Sequence, residues 1–483
     1  MLTFHRHIKA ISFLLLLFSG IFAGCAIAFV ADMPYKPFFV VALGLVFPFL
    51  ALFIKDLRQF LLVASIVSIP IYLDVNFMHI FERQAGASTV GISLTDILLL
   101  ILLFLWLLEL ASKDRPYAIF YARLTVPALL YIEAAALTLL WAPRLDLAIM
   151  EVFRMIKVCA LYFILLNHLR DERDLRLAMW ALIATVAFES MIAGLQIVKG
   201  GLLGLEFLGE APADPDGDAS LWRVMGTLGH PNKLATFIES LLLLCVGAFL
   251  IEKKKWLKIA SLSITGLGLV TLIMTGTRGA WVGFVAAFIT FLFFAVRNKH
   301  IDIKLILKPA IIVVLLMLMI GLSFSGMLTE RIFGDDYGSA ESRIPMFQIA
   351  FNIISAHPVG GVGINNYQVN MREYNDSVRA MRYTTIPRPV HNMYLLVMGE
   401  TGLIGFAAMM LLLLSFISIL VKTAASSSPQ LAVIAICILS GVAAFCVHGL
   451  VDKHPPGGYA PFYAMMAVGA SAYLIDRRRF HHS

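Results

Sequence analysis

Of 483 residues, 60% are hydrophobic and 14% are charged, against roughly 45–50% and about 25% in a soluble domain. The apolar excess runs from about residue 8 to residue 475, which excludes a soluble enzyme with a single membrane anchor. The net charge of +7 does not imply nucleic acid as a partner: no basic run is interleaved with exposed aromatics, and membrane proteins carry surplus Lys and Arg in cytoplasmic loops.

Stretches of about 20 apolar residues suffice to cross a bilayer. Fourteen spans are read, over 8–30, 38–54, 60–73, 93–110, 125–141, 150–166, 177–198, 234–251, 259–275, 279–296, 305–325, 393–420, 430–450 and 459–475. The third is short and the sixth carries Glu151, Arg154 and Lys157, so the count is about 12–14. The chain divides into N-terminal helices (1–198), a loop (199–233), further helices (234–325), a large loop (326–392) and C-terminal helices with a basic tail (393–483). Phe22-Ala23-Gly24-Cys25 is similar to a lipoprotein cleavage box, but the apolar run continues through Val30, as a first transmembrane helix requires. Cys25, Cys159, Cys245, Cys437 and Cys446 all lie in apolar stretches without a CxxC pair and read as packing residues, not disulfides or metal ligands.

Loop charge sets the orientation. With the N-terminus (Arg6, Lys9) cytoplasmic, every inner connection is basic, from Lys55 and Arg58 through Lys253-Lys254-Lys255 to Arg477-Arg478-Arg479, and together these connections hold 22 of the 38 Lys and Arg. The short outer loops carry one or two each, as the positive-inside rule expects. Both termini are therefore expected on the cytoplasmic side of the membrane, with 199–233 and 326–392 facing outward. Loops this long are commonly functional. Within the second, 341–355 and 365–382 read as amphipathic helices on either side of His357-Pro358-Val359-Gly360-Gly361-Val362-Gly363.

Four outward patches could carry chemistry. Arg223 precedes His230-Pro231-Asn232-Lys233 at the eighth span; Pro231 suits a first helical turn, which leaves Arg223 unexplained. Thr275-Gly276-Thr277-Arg278-Gly279 joins two spans, so Arg278 either snorkels to headgroups or lines a cavity; at mid-bilayer an Arg costs on the order of 3 kcal/mol. Arg343 and the Pro358–Gly363 run form the third, where glycines serve either a close ligand approach or a turn. The fourth is Arg388-Pro389-Val390-His391-Asn392-Met393-Tyr394, where His391 is the best general-base candidate, its ordinary role being a helix cap with Asn392. Asp335-Asp336 reads as a solvated turn, and no HExxH, GxSxG or Walker pattern occurs. Glu133, Glu151, Glu189 and Glu239 lie within spans; as proton-relay groups they would suit a transporter, the alternative reading.

Taken together, Arg223…Gly229-His230-Pro231-Asn232, Thr277-Arg278-Gly279-Ala280, Pro358-x-Gly360-x2-Gly363 and His391-Asn392-x-Tyr394-Leu395-x4-Glu400-x-Gly402-Leu403-x-Gly405 resemble the O-antigen ligase/polymerase superfamily of envelope glycosyltransferases. The resemblance spans residues 223–405. It implies an all-α polytopic membrane protein, a GT-C-type helical bundle with a large, partly helical outward loop. It further implies metal-independent, inverting transfer from a polyprenyl (undecaprenyl) diphosphate-linked glycan to an acceptor glycan, either lipid A core or a second lipid-linked repeat. No cofactor is implied. His391, Arg278 and Arg223 match the catalytic positions. Arg343, Arg382, Arg388, Asn232, His230 and Asn392 are the further expected substrate contacts. Guanidinium forks suit a diphosphate leaving group, and an imidazole suits an attacking hydroxyl.

Overall fold

A computed structural model describes residues 54–80, 86–112, 119–211, 223–298, 343–375 and 389–480. The spans expected over 8–30, 38–54 and 305–325 lie almost wholly outside these residues. The chain is a helical, multi-pass membrane protein: among the described residues, eight helices are long and apolar enough to cross a bilayer.

Helix α1 (Leu57–Val67) starts where the Asp56 carboxylate accepts the Gln59 N–H at 3.0 Å. Eleven residues rise about 16 Å, roughly half a hydrocarbon core, so the span expected over 60–73 is not a complete crossing. Ser68–Pro70 ends it, because proline cannot continue the ladder. A small hairpin follows that the apolar pattern did not reveal: β1 (Asp74–His79) pairs antiparallel with β2 (Thr89–Ser93), with an irregularity between Asn76 and Met78. Ser93 then opens α2 (Leu94–Ala111) through a capping box with Asp96.

The remaining described spans agree with expectation within a few residues: α3 (Ala122–Leu137), α4 (Leu145–His168), α5 (Glu172–Lys199), α6 (Pro231–Ile251), α7 (Lys255–Met274) and α8 (Arg278–Arg297). In the loop, α9 (Arg343–Ala356) forms as expected. The helix expected over 365–382 is reduced to one turn, α10 (Tyr367–Asn370), before residues 376–388, which lie outside the description. Three helices close the chain: α11 (Met393–Ala424), α12 (Pro429–His448) and α13 (Ala460–Phe480).

Of the eight apolar spans, α6 and α12 are the most enclosed, whereas α8 presents Val282, Val285, Ile289, Phe293 and Val296 outward at helical spacing, a face suited to lipid. Its other face is small, and α8 and α12 pack together over more residues than any other pair. A Cβ on Gly283 would lie 3.0 Å from the Ala444 carbonyl, and one on Gly441 would collide with the backbone of Ser240. Lipid offers no hydrophobic drive between helices, so close backbone approach through small residues supplies the packing. It brings together α6, α8 and α12, whose ends build the site described below.

At the opposite end of the bundle lie most of the basic residues assigned to inner loops. Arg58 bonds the Asp174 carboxylate (2.9 Å) and the His168 carbonyl, Arg176 pairs with Glu252 (2.5 Å), Arg170 with Glu109, and Arg479 with Glu172 (3.0 Å). The expected sorting of charge to one end is thus present in three dimensions. Cys159, Cys245, Cys437 and Cys446 are free thiols, as expected of packing residues, while Cys25 lies outside the described residues.

Helix α11 is broken at Gly402 (φ 62°, ψ −163°), a conformation essentially confined to glycine. The Pro358–Gly363 run repairs the break. Leu403 and Ile404 donate to the carbonyls of Pro358 (2.8 Å) and Val359 (3.3 Å), while Val362 and Gly363 donate to those of Gly399 (3.0 Å) and Glu400 (2.9 Å). Both orphan ends created by the break are satisfied by one loop. A Cβ on Gly361 would strike Glu400, and one on Gly402 would strike Val359. The glycine motif of the loop and the Glu400-x-Gly402 motif are therefore two halves of one device. Gly402→Ala is expected to cost at least ~2 kcal/mol, from strain plus collision, read as a lowered Tm of the detergent-solubilised protein; an unchanged Tm would refute the account.

Candidate functional site

Four turns meet at the end of the bundle away from the basic cluster: the start of α6, the α7–α8 turn, the start of α11 and the α12–α13 loop. At the start of α6, His230 is the N-cap, its Nδ1 accepting the Asn232 N–H at 3.0 Å, with Pro231 in the first turn. An accepting Nδ1 must be unprotonated. Desolvation, helped by the charge of Arg223, lowers the His230 pKa to about 4, so the cap persists at neutral pH. The helix-start reading of this patch is thus correct for His230 and Pro231.

Arg223 ties this start to the α7–α8 turn. Its Nε donates to the Thr275 carbonyl (2.6 Å), and one Nη donates to Asn232 Oδ1 (3.0 Å) and Thr277 Oγ1 (2.9 Å). The Thr277 hydroxyl also lies 3.2 Å from Asn232 Oδ1. Arg223 therefore fixes the turn that carries Arg278, and Asn232 is part of that brace. Arg278, the first residue of α8, is exposed at the head of the helix. The Trp281 indole donates back to the Leu272 carbonyl (3.1 Å) across the same turn.

At the start of α11 the cap is Asn392 alone. Its Oδ1 accepts from Tyr394 and Leu395 (3.0 and 2.9 Å), and its Nδ2 donates to the Leu450 carbonyl (2.9 Å). Both ends of this amide serve the fold, and His391 is released from the capping role. The His391 Nδ1 instead faces Asp452 Oδ1 at 3.6 Å.

Asp452, in the α12–α13 loop, was not singled out in the sequence, nor were His448 and His454. Asp452 is 3% exposed and meets three imidazoles: His391, His448 (Nε2, 3.6 Å) and His454 (Nδ1, 3.2 Å). Burial alone would push its pKa up. The nearby imidazoles of His454, His391 and His448 outweigh burial and hold the carboxyl well below its ordinary value. Behind it, His448 Nδ1 lies 2.7 Å from Glu239 Oε1. The imidazoles converge on one carboxylate, not on a shared empty point, and no metal-holding group occurs among the described residues. One sequence signal pointed here: Asp452-Lys453-His454 is the polar run between the last two spans, on the same side as His391.

Arg343 opens α9, and its charge reaches His448, so it belongs to the same neighbourhood. Arg382 and Arg388 lie outside the described residues. The intramembrane glutamates do not form a line across the bundle. Glu133 is exposed. Glu151 pairs with Arg154 (2.6 Å) and accepts the Ala87 N–H. Glu189 accepts the N–H and hydroxyl of Thr227. Glu239, the fourth, is buried against His448.

Residues 262–410 match the family model for O-antigen ligase. No curated protein matches the chain.

Proposed function

We propose that this chain, whose residues 262–410 belong to the O-antigen ligase/polymerase superfamily, transfers a glycan from an undecaprenyl-diphosphate-linked donor to an acceptor sugar on the outer face of the bacterial inner membrane. The coarser statement is independent of this: the protein is a multi-pass membrane protein of the O-antigen ligase/polymerase type, acting on lipid-linked glycan and acceptor in general. The observation that carries the finer reading is the convergence, at one end of the bundle, of the braced turn bearing Arg278 with the His391–Asp452 pair.

In this reading Arg278 meets the diphosphate, because a guanidinium keeps its charge at a membrane surface and bonds phosphate oxygens in a fork. Arg223 holds the turn in place and adds its charge beside it. Arg343 lines the path of the glycan or diphosphate, and Arg382 and Arg388, outside the described residues, remain the further proposed contacts to the same substrate. His391 presents Nε2 to the acceptor hydroxyl while Nδ1 is aimed by Asp452. The acceptor oxygen attacks the anomeric carbon and its proton passes to His391. The bond to the diphosphate oxygen breaks, with inversion, and polyprenyl diphosphate leaves with its charge met by arginine. The residues named supply this step without a metal. Lipid A core and a second lipid-linked repeat are the acceptors to be compared.

The test is transfer by the purified chain from a polyprenyl-diphosphate glycan, with each acceptor supplied in turn and both glycan product and released polyprenyl diphosphate measured. Product with lipid A core defines a ligase, and product with a second lipid-linked repeat defines a polymerase. Absence of both products would sink the reading. Orientation is checked separately: Asp336→Cys in intact cells should react with an impermeant maleimide from the outside, with both termini inside.

A further inference from the structure

The described mechanism leaves one buried pair unused. Glu239 on α6 is fully buried and His448 at the end of α12 is 2% exposed, yet both are polar and sit directly behind Asp452. Glu239 Oε1 lies 2.7 Å from His448 Nδ1, and the Thr236 hydroxyl lies 3.3 Å from the same nitrogen. The opposite nitrogen of the ring, Nε2, faces Asp452 Oδ2 at 3.6 Å, and Asp452 Oδ1 faces His391 at the same distance. Burying a carboxylate and an imidazole this deeply is costly unless the geometry is used.

Space has been kept for the pair. A Cβ on Gly283 of α8 would stand 2.7 Å from Glu239 Oε2 and 3.3 Å from the His448 Cβ. Glu239 Oε2 itself has no hydrogen-bond partner among the described residues. Charged and titratable groups approach from neighbouring elements: His230 from the start of α6, Arg343 from α9, His391 from α11, and Asp452 and His454 from the closing loop.

We propose that Glu239 and His448 are positioning residues for the transfer reaction: Glu239 accepts the His448 Nδ1–H, which fixes the ring plane so that Nε2 walls in Asp452, and Asp452 in turn aims His391. The inference rests on the glycosyltransferase reading above. It makes α6 and α12, whose close approach depends on Gly441, the frame of the general base, although neither helix supplies the base itself. Catalytic geometry held by one buried hydrogen bond and the close contacts that continue from it loses rate when the outer member is removed, because a misplaced base costs more than its contact energy.

The experiment compares two substitutions of similar volume in the full-length purified chain, assayed with a polyprenyl-diphosphate glycan. Glu239→Met fills the space without an acceptor, whereas Glu239→Gln still offers an amide oxygen to Nδ1. Glu239→Met should lower kcat about tenfold with donor KM within about twofold, and Glu239→Gln should restore at least half of the rate. Gly283→Ala, which displaces the pair without removing a charge, should reproduce the kcat loss and serves if Glu239→Met does not fold. Equal rates for the Met and Gln variants, a donor KM effect with unchanged kcat, or a wild-type rate for Gly283→Ala would overturn the proposal. The wild-type chain and His391→Ala in the same preparation separate the levels: no product from the wild type defeats the glycosyltransferase reading, full activity of His391→Ala defeats the general-base role, and inactivity of His391→Ala beside a wild-type rate for Glu239→Met defeats only the positioning role.

Discussion

Asp452→Asn is expected to lower kcat about 10²-fold while leaving donor KM within about threefold. Its asparagine still fills the site, but the amide presents a donor where an oxygen faced an imidazole, so the ring of His391 loses its aim. General-base catalysis contributes about 10²–10⁴, and misorientation of the base forfeits much of it. His391→Ala should fall to the full extent of that range. The pH dependence of stability carries a sign that checks the same assignment. Because the Asp452 carboxyl is held well below its ordinary value, its ionised form stabilises the fold. That contribution is fully present above about pH 4, the ordinary value of an aspartate. It fades as pH falls further, toward the lowered folded value. The Tm difference between wild type and Asp452→Asn should therefore be constant from neutral pH down to about 4 and close below it. A difference that closes between pH 6 and 7 instead would assign the effect to an imidazole.

Arg278 carries the second large effect. Arg278→Ala should reduce kcat/KM for the donor by about 10²–10³, the usual loss when a preorganised donor to a developing anion is removed. Arg278→Lys should recover no more than about a tenth of the wild-type value, since an ammonium is a point charge without the planar fork. The acceptor KM should not move in either variant. Arg223→Lys provides the contrast. A lysine lacks the planar fork that reaches the Thr275 carbonyl through Nε and Asn232 and Thr277 through Nη, so the α7–α8 turn loosens and Tm falls together with activity. If Arg278→Lys turned over at the wild-type rate, the diphosphate role would be wrong.

Much of the candidate site was legible before the fold was known, because its residues lie where apolar periodicity stops. Arg223, Arg278, Arg343 and His391 all flank helix ends, and an alternating topology puts those ends on one side. The roles were less legible. That the Asn232 amide braces Arg223 and the Asn392 amide caps α11 follows only from the fold. Asp452 and His448 escaped notice because an isolated Asp-x-His and a histidine ending an apolar run carry no spacing rule. What makes them a unit is contact across about 60 residues with His391 and about 210 with Glu239, and no local pattern encodes that.

By itself, the sequence determined that this protein lives in a bilayer, which of its segments are helices, and that its basic residues gather at one end. Those properties follow from each stretch separately: hydrocarbon demands internally bonded backbone and rejects charge. Only the tertiary structure decided that the span near residue 60 is a short helix with a hairpin, that Pro358–Gly363 seals the break at Gly402, and that one buried carboxylate gathers three histidines. These depend on which helix ends meet. That meeting is set by small residues on α8 and α12 packing at a distance in sequence, where no single segment holds the information.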